Sequence, residues 1–245
     1  MTATIGRSRT RGVEVLSLDA VATRNALSAA LVGALTDALT ACADDPDVRA
    51  VVLTHSGTTF CAGADLRDPP HPDALVALLR QLVALRKPVV ARVTGHVRAG
   101  GLGLLAACDI TAAATTATFA FTEVRIGVAP AVITLTVLPR ADARALARHY
   151  LTGERFDAAE AVRTGLLTLA ADDVDAALAP VLDGLRRSSP EGLAETKRLL
   201  TAKVLETFDR DAADLTALSA RLFTSDQARE GMTAFLERRD AAWVL

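Results

Sequence analysis

The chain has 245 residues, of which 51% are hydrophobic and only 4% aromatic, so one large aliphatic core can be buried. A formal charge of -2 gives no electrostatic reason to expect nucleic acid as a partner. No run approaches the ~20 apolar residues of a membrane span, and the opening "MTATIGRSRTRGVEVLSLDA" lacks the apolar stretch of a signal peptide.

In chain order, "VEVLSLDA" alternates apolar and polar residues and predicts a strand. "RNALSAALVGALTDALTACADDPD" predicts a helix, with Leu27, Leu31, Leu35 and Leu39 recurring every fourth residue until the turn-forming "DDPD". "VRAVVLTHSG" is a buried strand. "ALVALLRQLVALRK" is a helix stopped by Pro88, and "PVVARVTG" is the next strand. "LGLLAACDI" predicts a buried helix, and "ITAAATTATFAFTEV" short strands. "ADARALARHYLTG" is an amphipathic helix with Gly153 as its C-cap. "DAAEAVRTG" is another, capped by Asp157 and ended by Gly165, and the strand "LLTLAA" follows. From Asp173 to Trp243 nearly everything reads helical. Alternating strands and helices predict an α/β fold with parallel pairing, arranged as a core over 1–190 and a helical C-terminal region over 191–245. No sequence repeat is visible. Cys42, Cys61 and Cys108 have no paired or metal-like spacing, so free thiols, a cytoplasmic location and no metal are expected.

Three stretches combine small residues with turns. In "HSGTTFCAGADLRD" only small side chains precede Asp65, so a ligand can reach backbone N–H groups. "HVRAGGLGLLAACDI" sets Gly100, Gly101 and Gly103 at a helix start, where each glycine weakens the helix by roughly 1 kcal/mol relative to alanine. Close approach to the backbone, or plain helix–strand packing, explains them about equally. The dinucleotide G-x-G-x-x-G spacing is missing. In "FAFTEVRIGVAPAV", Glu123 stands between apolar residues, a setting that raises a carboxyl pKa and suits proton transfer near neutral pH. Pairing with Arg125 or Arg140 is its structural alternative. Two strand ends with free N–H groups can form an oxyanion hole, so the set points to enolate chemistry on a carbonyl compound. Asp65 and Asp109 read as caps. Cys61 and Cys108 read as small buried residues. His55, His71 and His149 read as structural or surface groups, with His96 nearest the glycines.

"TTFCAGADL", "PVVARVTGHVRAGGLGLLAACDI" and "ATFAFTEVRIGVAPAV", with "TRNALS" before and "SDQAREGMTAFLERRDAAW" after, resemble the crotonase (enoyl-CoA hydratase/isomerase) superfamily from Val13 to Trp243. The resemblance implies an α/β spiral of β-β-α units with a helical C-terminal trimerisation region. It also implies a homotrimer or dimer of trimers, and an acyl-CoA thioester substrate without a separate cofactor. It places the oxyanion donors on Ala64 and Gly100. It carries adenine and pantetheine contacts to Asn25, Ala26, Leu27, Ala62, Asp65 and Leu66, and a phosphate contact to Arg24. Gly101 and Gly103 belong to the same glycine segment. Phe235 and Arg238 fall where such proteins often complete a neighbour's CoA site.

One departure matters. Hydratases of this family use two glutamates; the second matches Glu123, but the first falls on Gly103. Losing one acid–base group costs ~10²–10⁴ in rate. Methylglutaconyl-CoA-type hydratases resemble this chain here, and their substrates carry a second carboxylate, for which Arg98 is the nearest cation in sequence. The expected activity is a hydratase-like lyase with Glu123 as single acid–base. The alternatives are a Δ3,Δ2-enoyl-CoA isomerase, an acyl-CoA decarboxylase and a non-catalytic acyl-CoA binding protein.

Overall fold

A computed structural model describes residues 4–245. The chain opens with strands β1 (Thr4–Thr10) and β2 (Val13–Asp19), an antiparallel hairpin closed by Arg11 and Gly12, both at positive φ. That two-residue turn matches the twist of the strands. Sequence reading missed β1 because its side chains are mostly exposed and show no apolar alternation. Instead Arg7 and Arg9 clasp the buried Glu14 of β2, at 2.9 and 2.7 Å. The first helix, α1 (Ala29–Asp44), starts later than the leucine periodicity implies. Ser28 caps it, accepting from Leu31 N, while Arg24 and Asn25 before it lie at positive φ.

Three β-β-α units follow. The first is β3 (Ala50–His55), β4 (Thr59–Cys61) and α2 (Pro72–Ala84). The second is β5 (Val89–Val93), β6 (His96–Arg98) and α3 (Gly100–Ala107). The third is β7 (Ile110–Ala114), β8 (Thr118–Ala120) and, after a 3-10 turn over Glu123–Ile126, α4 (Ala131–Val137). Each unit sends its long strand to one sheet and its short strand to another. The repeat is invisible in sequence because it is a repeat of path, carried by different residues in each unit. The chain continues through α5 (Ala143–Thr152), β9 (Phe156–Asp157), α6 (Ala158–Arg163), β10 (Leu169–Ala171) and α7 (Val174–Arg187). Asp157 and Gly153 cap as expected.

The large sheet has the order β1-β2-β3-β5-β7-β10, parallel beyond the first hairpin. The small sheet has the order β4-β6-β8-β9. Helix α7 covers one face of the large sheet, packing Val174 and Leu178 on Val52, Val90 and Ala112. The main core fills the other face, beneath α1 and α2. The last third is α8 (Pro190–Phe223) and α9 (Asp226–Glu237). Helix α8 lies across α2 and α4, and α9 across the 3-10 turn. Among the described residues no helix is long and apolar enough to cross a membrane, and no cluster of metal-ligating side chains occurs.

Candidate active site

A cleft of about 1130 Å³ opens where the first turns of α3, the Ala62–Arg67 loop, the 3-10 turn and α9 converge. Backbone geometry prepares its floor. Leu27 N–H donates to Gly63 O at 2.7 Å, and Asp65 N–H to Leu27 O at 2.9 Å. The two bonds form an isolated parallel bridge that straddles Ala64, leaving the Ala64 N–H pointing away from Leu27. Gly100 is the first residue of α3, so its N–H lies outside the helical ladder. A Cβ on Gly100 would stand 3.8 Å from Ala64 N. Among the described residues neither amide has a hydrogen-bond partner. The pair can therefore receive one carbonyl oxygen, at a helix start that favours negative charge. The residue that aims Gly100 is Ala99, at φ 46, ψ -120, a conformation that costs a non-glycine residue strain.

Glu123 opens the 3-10 turn, only 8% exposed, and its Oε2 has no partner among the described residues. Burial pushes its carboxyl up to about 7, against a slight downward pull from its own backbone N–H. Pairing with an arginine does not occur: Arg125 donates to Thr152 O at 2.9 Å, and Arg140 to Cys108 O at 3.0 Å. Near it, the Tyr150 ring packs against Phe121 with centroids 4.3 Å apart and planes tilted by 43°, and its hydroxyl is buried. Burial, with the charge of Glu123 adding, raises the Tyr150 hydroxyl.

The three glycines have three separate reasons. A Cβ on Gly100 would meet Leu27 Cδ1 at 3.0 Å. One on Gly101 would lie 2.7 Å from Cys61 Cβ, and one on Gly103 2.6 Å from Ile133 Cγ2. Ile133 is thus seated where a side chain at position 103 would project, and it lines the cleft. Packing and ligand access are both present, divided among neighbouring residues.

Of the residues singled out from sequence, Glu123, Ala64 and Gly100 line the cleft. So do Arg24, Ala26, Ala62, Asp65 and Leu66, together with Arg98 and Phe235. Five do not. Asn25 is fully buried; its side chain accepts from Ala20 N and donates to Ser56 O and Thr59 O, tying the loop before α1 to the strands. Leu27 is fully buried beneath Gly100. Gly101 and Gly103 are covered by Cys61 and Ile133. Arg238 is the left-handed C-cap of α9 and does not line the cleft, whereas the next residue, Arg239, does. Phe235 lines the cleft of its own chain. Arg98 donates to Thr118 O and to Thr118 Oγ1 at 2.7 Å, which turns its guanidinium onto the small sheet.

Sequence reading missed Ile133, Ala99, Tyr150 and Arg155. Nothing local marks them; each gains its place from elements brought together in space. The three cysteines are buried and free. Burial lifts the Cys61 and Cys108 thiols to about 12, so neither is a nucleophile.

The enoyl-CoA hydratase/isomerase family model matches residues 8–244. A Mycobacterium tuberculosis protein named "Probable enoyl-CoA hydratase echA8" is 34% identical over 96% of this chain and 96% of its own length. The Escherichia coli 2,3-dehydroadipyl-CoA hydratase is 30% identical over 95% of each chain. The crystal structure of an enoyl-CoA hydratase from Mycobacterium avium superposes with a TM-score of 0.93 at 51% identity, covering 100% of both chains.

Proposed function

Because the chain belongs to the enoyl-CoA hydratase/isomerase family, we propose that it is a hydratase-like lyase for an α,β-unsaturated acyl-CoA, with one glutamate as acid and base. The observation that carries this reading is the buried Glu123, with Oε2 unpartnered among the described residues, in the same cleft as two unpaired N–H groups. The thioester oxygen binds between Ala64 N–H and Gly100 N–H. Glu123 takes a proton from water as its oxygen adds to the β-carbon. The electron pair moves to the thioester oxygen, which the two amides stabilise, each by about 3–4 kcal/mol. Glu123 then returns the proton to the α-carbon. A group titrating near 7 is suited to both transfers. No cofactor beyond the CoA carried by the substrate is part of this reading.

A second reading is Δ3,Δ2-enoyl-CoA isomerisation. It is favoured by Ile133, an apolar side chain seated over Gly103, because isomerisation needs one base and no second carboxylate to hold water. Crotonyl-CoA, 3-methylglutaconyl-CoA and a 3-enoyl-CoA separate the two, followed by the conjugated enoyl-thioester absorbance. Loss of absorbance from either conjugated substrate, abolished by Glu123→Gln, supports the hydratase. Gain of absorbance from the 3-enoyl-CoA alone supports the isomerase. Binding without turnover of any of them points to a decarboxylase or a binding protein.

A further inference from the structure

Glu123 stands on a 3-10 turn that another element grips by its backbone. The end of that turn, Ile126 and Gly127, lies against one turn of α9. A Cβ on Gly231 of α9 would stand 2.5 Å from the Ile126 carbonyl carbon and 2.6 Å from its oxygen. A Cβ on Gly127 would stand 2.5 Å from Gln227 O and 2.8 Å from Ala228 N. Gln227 and Gly231 are four residues apart, so they share one face of the helix. The Ile126–Gly127 peptide therefore rests on that face, main chain on main chain, with no side chain between. Gly127 also takes φ 76, which a residue with a Cβ adopts only at a cost.

The same turn holds the base. Gly127 N–H donates to Glu123 O, and Val128 N–H donates to it as well, at 3.1 Å. The main chain of Glu123 is thus tied to the residue that α9 seats, and a shift of α9 moves both. On another side the turn is tied by a long side chain, Arg125 donating to Thr152 O at 2.9 Å. Such a tie can follow a moving turn, whereas a close backbone contact cannot. Helix α9 also walls the cleft that Glu123 lines, through Gly231, Ala234 and Phe235. Burial is what raises the carboxyl, and among the described residues no charged side chain contributes. The titratable group that senses its charge is Tyr150 of α5.

We propose that Gly127 and Gly231 are positioning residues for Glu123: the backbone contact they permit between α9 and the 3-10 turn sets where the carboxyl stands and keeps water from it. The proposal rests on Glu123 as the acid–base group of the acyl-CoA reading. Helix α9 then acts on the reaction through the turn, although it lies about a hundred residues further along the chain.

The test is Gly231→Ala in the full chain. Alanine is the better helix former, so harm to the variant comes from the contact and not from α9 itself. Glu123 is titrated by NMR of protein labelled with carbon-13 at its glutamate carboxyls, its signal identified as the one missing from Glu123→Gln. In the parent it should titrate near 7. In Gly231→Ala it should bind a proton about tenfold less tightly, because water reaches the displaced carboxyl. For whichever thioester the parent turns over, kcat should fall at least tenfold, since misplacing a reacting group by about an ångström costs up to ~10². A helix that only supports the fold would lower thermal stability and leave the titration where it was. Ser225→Ala is the milder second variant. The Ser225 side chain accepts from Ala228 N at 3.1 Å, and losing that cap loosens the first turn of α9, where Gly127 rests. It should shift the titration in the same direction by a smaller factor, about threefold, and it decides the matter if Gly231→Ala does not fold. A Glu123 titration that matches the parent in the folded variants overturns the proposal. If the parent turns over no thioester, the acyl-CoA reading falls, and the titration, which needs no substrate, still judges the contact.

Discussion

Glu123 has no counter-charge, and its burial sets two observable consequences. The folded carboxyl titrates near 7 and the unfolded one near 4.5, so between those values the native state holds the extra proton. Stability therefore falls as pH rises through that window, by up to about 3 kcal/mol from this group. Glu123→Gln should match the parent near pH 4 and exceed its unfolding free energy by about 3 kcal/mol above pH 8; denaturant titrations at both values check this. The same variant should lose ~10²–10⁴ in kcat. Gly103 gives the complementary case. A Cβ there meets the stiff, β-branched Ile133, so Gly103→Ala should cost about 1–3 kcal/mol despite its better helix propensity. Adding Ile133→Ala should recover part of that loss in thermal unfolding, because the cause is one pairwise overlap.

At the scale of elements, the site depends on how strands end. The three-residue strands β4 and β6 run parallel, and their ends set the Ala62–Arg67 loop beside the start of α3. The Leu27 bridge fixes the first, and the positive φ of Ala99 aims the second. Ala99 costs stability where glycine would not. Ala99→Gly should raise the unfolding free energy by roughly 1 kcal/mol, the relief of strain exceeding the added chain entropy. Turnover should be unchanged if the N–H keeps its direction. A drop in kcat with unchanged KM would show that the methyl group itself holds Gly100 in place.

For the whole molecule, one buried ion pair joins the C-terminal helices to the core. Lys197 of α8 donates to Leu82 O and Lys87 O at 2.9 and 3.1 Å and meets Asp109 at 2.8 Å. Asp109 in turn accepts from Val89 N. Lys197→Met removes the cation and leaves Asp109 and two carbonyls without it, and should cost about 3–5 kcal/mol by chemical denaturation. The cleft also depends on this anchoring, since α9 and the following segment form its outer wall. Arg239 bonds Glu230 at 2.7 Å, and Glu230 accepts from Ala242 N at 2.9 Å. Leu199 and Leu200 on α8 are 70% and 74% exposed, and the family resemblance implies a homotrimer or dimer of trimers. Light scattering should then give three or six times the 25.6 kDa chain mass.

The sequence by itself determined the order of the long strands and most helices, because their signals are local. Apolar runs mark β3, β5 and α3, while Asp157 and Gly153 mark helix ends through their own side chains or backbone freedom. It also determined Glu123 and the two glycine-bearing loops, since small residues at strand ends and a carboxyl among apolar neighbours are visible as text. Only the tertiary structure decided which glycine serves a ligand and which serves packing. Gly100, Gly101 and Gly103 look alike in sequence, and they differ only in what other elements bring opposite them: Leu27 and Ala64, Cys61, and Ile133. The same holds for Asn25 and Leu27, which support the site from beneath, and for Arg155, which joins Arg98 from a distant part of the chain. Burial and electrostatics are sums over spatial neighbours, and a linear chain does not state its neighbours.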